Sequence, residues 1–280
     1  MMNPRVLLPV ILILLVVEAN EPAVLAYPDK LQIESGFNLL YKLRFDDARG
    51  QFTKWQQTNP KDPLGHIAIA ASYLFEEFYD QHVLTSEFFL DDDRLLGGIR
   101  GKTDEGHKIN FMTANQKGKE LALERLGQNS RDSDALFALT ISAGMQANFE
   151  AILERRQLES LSLIKEAQGY AKRLLALQPD EADAWLSLGA ANYILGSLPA
   201  YKRFFLWFGR MRGDKHLGME QLQITAEKGH YLKPFAKIFL ALAAMRENQM
   251  DLAREQLQDL ADHYPENPLF REELARLGVH

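Results

Sequence analysis

The chain has 280 residues, 46% hydrophobic and 25% charged, which is ordinary globular usage and excludes disordered, collagen-like and disulfide-stapled classes. Its 32 Lys and Arg against 38 Asp and Glu leave a formal charge of −6, so no field draws a polyanion and nucleic acid is not an expected partner. With no cysteine, the chain has no disulfide, thiolate metal site, cysteine nucleophile or lipobox attachment point.

In chain order, the first feature is the apolar run 6–17, preceded by Arg5 and ended sharply by Glu18 and Glu21. As a helix it spans roughly 18 Å, well short of the roughly 30 Å hydrocarbon thickness, and Val24-Leu25-Ala26 puts small or modest side chains before a cut at Tyr27. The expectation is a signal peptide over 1–26, cleaved near Ala26, and an extracytoplasmic mature domain over 27–280, periplasmic or secreted. Left uncleaved, the same run would anchor the chain to a membrane.

Beyond residue 27, Ala/Leu/Glu/Lys/Arg-rich stretches with i, i+3, i+4 apolar spacing, broken by Pro and Gly, predict an all-α fold. The chain also repeats itself. Gly36, Ala48, Phe52 and Pro60 stand at relative offsets 0, 12, 16 and 24, and Ala253, Leu257 and Pro265 reproduce the last three, as do Ala167, Ala171 and Pro179. Small residues let two helices approach, the larger residue fills the gap, and proline ends the second helix.

This spacing resembles the tetratricopeptide repeat, and Asp183-Ala184-Trp185-Leu186-Ser187-Leu188-Gly189-Ala190-Ala191-Asn192-Tyr193 is its most specific match, at the first-helix signature. The resemblance implies a right-handed α-solenoid of about five hairpins, over roughly 29–62, 63–130, 131–179, 180–232 and 233–267, followed by a capping helix. The middle units are longer, with insertions at about 76–114 and 197–213.

Stacked hairpins share a continuous core and present a concave wall of first helices. The family's groove-facing positions fall on Ile67, Ala71, Leu74 and Phe75, on Phe137, Ile141 and Met145, and on Leu186, Ala190, Tyr193 and Ile194. This wall is apolar. Ile33 and Phe37 stand where a carboxylate-clamping member would carry Lys and Asn, so that mode of peptide capture is not expected.

Other motifs weigh less. Gly97-Gly98-Ile99-Arg100-Gly101-Lys102-Thr103 ends like a phosphate loop, but Leu96 stands where its first glycine belongs and no hydrophobic β run precedes it, so a turn is the expectation. Asp91-Asp92-Asp93 lacks the alternating ligands of a calcium loop and reads as a helix start. Among the seven histidines no two are four residues apart, and Glu76, Glu77, Asp80 and His82 form the densest titratable cluster, the one place to look for acid/base or metal chemistry. No catalytic constellation and no cofactor motif is read. Tyr201–Arg212 interleaves Lys202, Arg203, Arg210 and Arg212 with Phe204, Phe205, Trp207 and Phe208, which suits a partner-binding patch, a membrane contact or an aromatic plug of the core.

The leading functional expectation is a non-enzymatic exported scaffold that binds a protein or peptide in the apolar groove, as an envelope-assembly adaptor. The alternative is a carrier or sensor of an apolar small molecule or lipid, held in a cavity closed by the insertions.

Overall fold

The computed structural model describes residues 30–198 and 213–278, and these are all-α, with no strand among them. The first hairpin is α1 (Lys30–Tyr41) and α2 (Phe45–Thr58); α3 (Pro63–Asp80) follows, then two short helices, α4 (Ser86–Leu90) and α5 (Asp92–Gly97). The partner of α3 is α6 (Glu105–Gln128), so the second hairpin carries α4 and α5 between its arms. Next come α7 (Ser133–Asn148), which runs into a π-helical turn at Phe149–Leu153, and α8 (Gln157–Leu177). The fourth and fifth hairpins pair α9 (Ala184–Ser197) with α10 (Lys215–Lys228) and α11 (Lys233–Arg246) with α12 (Met250–His263), and α13 (Pro268–Leu277) closes the series. Each helix packs on its neighbours in sequence, the short insertion helices apart.

The backbone repeats as the sequence does. Three second helices end at Thr58, Leu177 and His263, and Pro60, Pro179 and Pro265 each follow two residues later. The intervening Asn59, Gln178 and Tyr264 adopt nearly one conformation, φ/ψ of −125/62, −133/84 and −125/59°, away from the α region that a following proline disfavours. Each of their N–H groups bonds back to a carbonyl four residues earlier at 2.8 Å. Inside the hairpins a second device recurs: Leu43, His82 and Asn248 take φ near +60°, two residues past the end of a helix. The following N–H bonds back five residues, Arg44 to Leu39, Val83 to Phe78 and Gln249 to Ala244, which is the Schellman closure. The second hairpin therefore makes the ordinary turn at 81–83 before the chain departs into α4 and α5.

Helix starts follow the acids. Asp62, Asp104, Asp132 and Asp214 each accept one or two N–H bonds of the first turn, and Asn267 does so ahead of Pro268. Ala48, Phe52, Ala171 and Ala253 are fully buried and Ala167, Leu257 nearly so, as their shared offsets require. Gly189, the glycine of the first-helix signature, lies against α10, where a Cβ would come within 2.9 Å of the Leu222 nitrogen. Opposite it, a Cβ on Gly218 would meet the Tyr193 backbone at 2.5 Å.

The two ends of the series meet. Tyr41 Oη donates to the Tyr231 carbonyl at 3.0 Å, and Asn267 Nδ2 donates to the Tyr41 carbonyl at 2.9 Å. Lys42 pairs with Glu266, His230 with Glu34, and the rings of Phe37 and Tyr231 and of Tyr41 and Tyr264 lie 5.1 and 5.7 Å apart. The first helix is thus held by the turns at 229–232 and 264–267.

Gly218→Val is expected to cost at least about 2 kcal/mol, because the clash is with backbone. Gly169→Ala, at an exposed α8 position with open space around it, is expected to gain about 0.5–1 kcal/mol. Urea unfolding followed by circular dichroism measures both; equal effects of the two changes would contradict this packing.

Candidate functional site

Beside this contact of the two ends lies a partly open cavity of about 480 Å³. Its wall includes Leu40 and Tyr41 of α1, Phe75 and Phe78 of α3, and Leu84, Phe89 and Leu95 from the insertion. Ile152 of the π turn, Leu161 and Ile164 of α8, and Ala190 and Ile194 of α9 continue it. The largest share comes from α11, where Phe235, Ile238, Phe239, Leu242 and Met245 form one helical stripe, and Phe270 and Glu273 of α13 complete it. A smaller adjoining recess of about 50 Å³ lies among Tyr193, Ile194, Phe239, Leu242 and Arg246.

The residues predicted to face a groove divide between wall and core. Phe75, Ala190 and Ile194 line the cavity, and Tyr193 lines the side recess. Ile67, Ala71, Leu74 and Met145 are buried in the main core, with Ile141 packed against it. Phe137 lies 6.1 Å from the Tyr231 ring, and Leu186 packs with Leu222, Ala226 and Leu240. Of these residues, Phe137 is the one whose ring lies against the turn bearing Tyr231. The patch residues Lys202, Arg203, Phe204, Trp207, Arg210 and Arg212 lie outside the described residues, as does 1–26. The α11 stripe was missed by the sequence reading, although its i, i+3, i+4, i+7 spacing announces it.

The insertion forms part of the wall and is pinned at both ends. At its start Ser86 N–H donates to Glu273 Oε1 at 3.2 Å, and Arg246 bonds the Phe89 carbonyl at 2.6 Å and pairs with Asp92. At its exit, buried Glu77 accepts from Gln81 and from the Asp104 N–H, and bonds His107 Nδ1 at 2.9 Å. Glu76 pairs with Arg49 at 2.6 Å, and Arg49 lies over the Tyr73 ring. Glu76 and Glu77 are therefore occupied by internal partners, while partial desolvation raises the Asp80 carboxyl above its usual range. His82 sits in the left-handed turn beyond α3, and none of these groups lines the cavity.

The phosphate-loop-like stretch is a docking turn. Gly98 holds φ +70°, and a Cβ there would lie 2.4 Å from the Ile152 carbonyl oxygen. Ile99 N–H donates to that same carbonyl at 2.9 Å, and Arg155 bonds the Ile99 carbonyl. The acidic triplet starts a helix: Asp91 caps α5 through the N–H groups of Asp93 and Arg94. Among the described residues no three of His, Asp or Glu are grouped to hold a metal ion.

Asp183 holds the closing turn in place. It is 1% exposed and accepts from three successive backbone N–H groups, His230, Tyr231 and Leu232, at 2.9, 2.7 and 3.2 Å. Burial nonetheless pushes its carboxyl above the ordinary Asp range, the bonds offsetting only part of the desolvation. Burial also pushes the Tyr41 and Tyr231 phenols well above 10, and takes Tyr193, whose hydroxyl reaches Ala243 O and Glu247, up to about 12. These phenols stay neutral donors at physiological pH.

Neither a protein-family model nor a curated protein matches this chain. The repeat resemblance therefore rests on the residues themselves and on the recurring hairpin geometry.

Asp183→Asn turns an amide NH₂ toward the Tyr231 N–H, or leaves one acceptor oxygen for three donors. The expected loss is about 1–3 kcal/mol in thermal or urea unfolding, with faster amide exchange at 230–232. An unchanged midpoint would mean that the turn is held by its ring contacts alone.

Proposed function

We propose that this protein is a non-catalytic, exported carrier or sensor of an apolar small molecule or lipid, built on a right-handed tetratricopeptide-like solenoid closed into a chamber. The observation that carries this reading is the cavity of about 480 Å³, walled by aliphatic and aromatic side chains from both ends and the middle of the chain. Small-ligand sites commonly run to about 300–1,000 Å³ with such a lining. A peptide scaffold, the leading expectation from the repeat, needs a continuous open channel along the first helices. The contacts of α1 with the turns at 229–232 and 264–267 occupy that face, which favours a small ligand.

Export rests on the apolar run 6–17 and the small-residue segment ending at Ala26. The one helical run among the described residues that is long and apolar enough to cross a bilayer, Ser133–Leu153, is mostly buried and belongs to the core. In this account the basic and aromatic run 201–212 supplies a contact to a protein partner or a membrane surface.

The test uses diphenylhexatriene, a hydrocarbon probe that fluoresces in apolar surroundings. One equivalent is expected to bind, and Ala190→Trp, which fills cavity space from α9, is expected to weaken binding at least about tenfold while the helical spectrum is kept. Equal binding by the two proteins would place the probe elsewhere and defeat the reading.

A further inference from the structure

We infer that Asn148 and Ser160 form a head-group subsite in the cavity wall, and that it takes an amphiphile whose uncharged head both donates and accepts hydrogen bonds, such as a long-chain primary amide. The inference rests on the cavity reading above and adds the place and chemistry of the ligand's head. The lining positions of the third hairpin keep helical spacing. Asn148, Ala151 and Ile152 line the cavity from the first arm and its π turn, and Gln157, Ser160, Leu161 and Ile164 line it from α8. Across the bend, Arg156 N–H donates to the Glu150 carbonyl at 2.7 Å, and Gln157 Nε2 donates to the Ala151 carbonyl at 3.0 Å. About one helical turn farther from the bend on each arm stand Asn148 and Ser160, so the register sets them at one level on adjoining helices.

Most other polar groups of the described lining are already bonded. Tyr41 donates to the Tyr231 carbonyl, and Asn267 donates to the Tyr41 carbonyl and accepts from Leu269 N–H. Thr85 donates to the His82 carbonyl at 3.1 Å and accepts the Phe88 N–H. Gln157 holds the Ala151 carbonyl, and Ile99 N–H holds that of Ile152. Glu273 accepts the Ser86 N–H through Oε1, and its Oε2 is sealed from the cavity as it is from solvent. The side chains of Asn148 and Ser160, by contrast, have no hydrogen bond among the described residues, and none of their polar atoms is sealed. The Ser86 hydroxyl is unbonded too, but it stands by itself on α4, where Ser86 N–H meets Glu273. Asn148 is half-buried and Ser160 is 4% exposed, so a ligand group that bonds them satisfies donors and acceptors that the wall otherwise leaves without a protein partner.

The chemistry of the pair selects the head. An Asn side chain sets N–H beside a carbonyl oxygen, so a primary amide can meet it with two hydrogen bonds and still accept from the Ser160 hydroxyl. A carboxylate can use the donors but not Asn148 Oδ1, and no cation among the described lining residues receives its charge. An ammonium finds no free carboxylate, because Glu273 is paired with Arg276 at 3.0 Å and its other oxygen is out of reach.

The test is displacement of bound diphenylhexatriene by decanamide, decanoate and decylamine at pH 7.5, from the native chain and from Asn148→Leu, Ser160→Ala and Ser86→Ala. Comparing one compound between two proteins cancels its own partition out of water. Asn148→Leu is expected to weaken decanamide at least about tenfold and Ser160→Ala at least about threefold. Diphenylhexatriene has no polar atom, so its affinity should stay within about twofold of native in both, and Ser86→Ala should match the native chain for every head. Unchanged decanamide affinity in the first two variants, a larger loss for decanoate or decylamine than for decanamide, or a loss confined to Ser86→Ala overturns the inference and leaves the cavity reading standing. If the native chain does not bind the probe at all, both fall. Ser160→Ala removes a single oxygen and decides the question even if Asn148→Leu fails to fold.

Discussion

Everything in this molecule depends on the contact between its first helix and the turns at 229–232 and 264–267. Stacked hairpins alone give a wall; here residues some 190 to 226 positions apart hold its two ends together. The magnitudes say which groups do this. The ion pairs Lys42–Glu266 and His230–Glu34 are partly exposed and contribute at most about 1 kcal/mol each. Phe37, Tyr41, Tyr231 and Tyr264 bury ring surface at the same seam, and each large apolar side chain removed from water contributes about 1.5–3 kcal/mol. Closure is an aromatic contact, oriented by hydrogen bonds and trimmed by charge.

The same seam explains the polar residues that sit where an apolar core would be simpler. Asp183 is buried at a cost, yet it receives three consecutive N–H groups of the turn carrying Tyr231. Glu77 does comparable work for the insertion by gathering Gln81, Asp104 and His107 on α3. Glu273 ties α13 to the start of the same insertion through Ser86, and it is the buried carboxylate left with an unmatched oxygen. Two of these three acids are fully employed by the fold.

Much of the fold was legible in the sequence because its determinants are local. Proline two residues past a helix, Asp at an N-cap and alanine at a close crossing act within a few positions, so the five hairpins and the final helix follow from spacing. The insertion after α3 was legible as extra length, although α3 persists to Asp80 and α6 starts at Glu105, inside the expected bounds of 76–114. The site was less legible. Ile67, Leu74 and Met145 were placed on an inner face by the repeat pattern but lie in the core, Ile67 against Gly118 of α6, the second helix of its own hairpin. Glu76 and Glu77 looked like chemistry because their partners, Arg49 and His107, lie some 30 residues away on either side. Glu273 carried no sequence signal, since its significance comes from Ser86, 187 positions earlier.

The contact between the two ends is also the most exposed point of the account, and the absence of cysteine makes it directly measurable. Spin labels on cysteines introduced at Ser35 on α1 and at Glu266 in the facing turn would report their separation by double electron–electron resonance in the full chain without ligand. A closed chamber predicts one narrow population at the short end of the accessible range. A broad distribution, or a dominant long distance of the kind an open superhelical array would give, would contradict it.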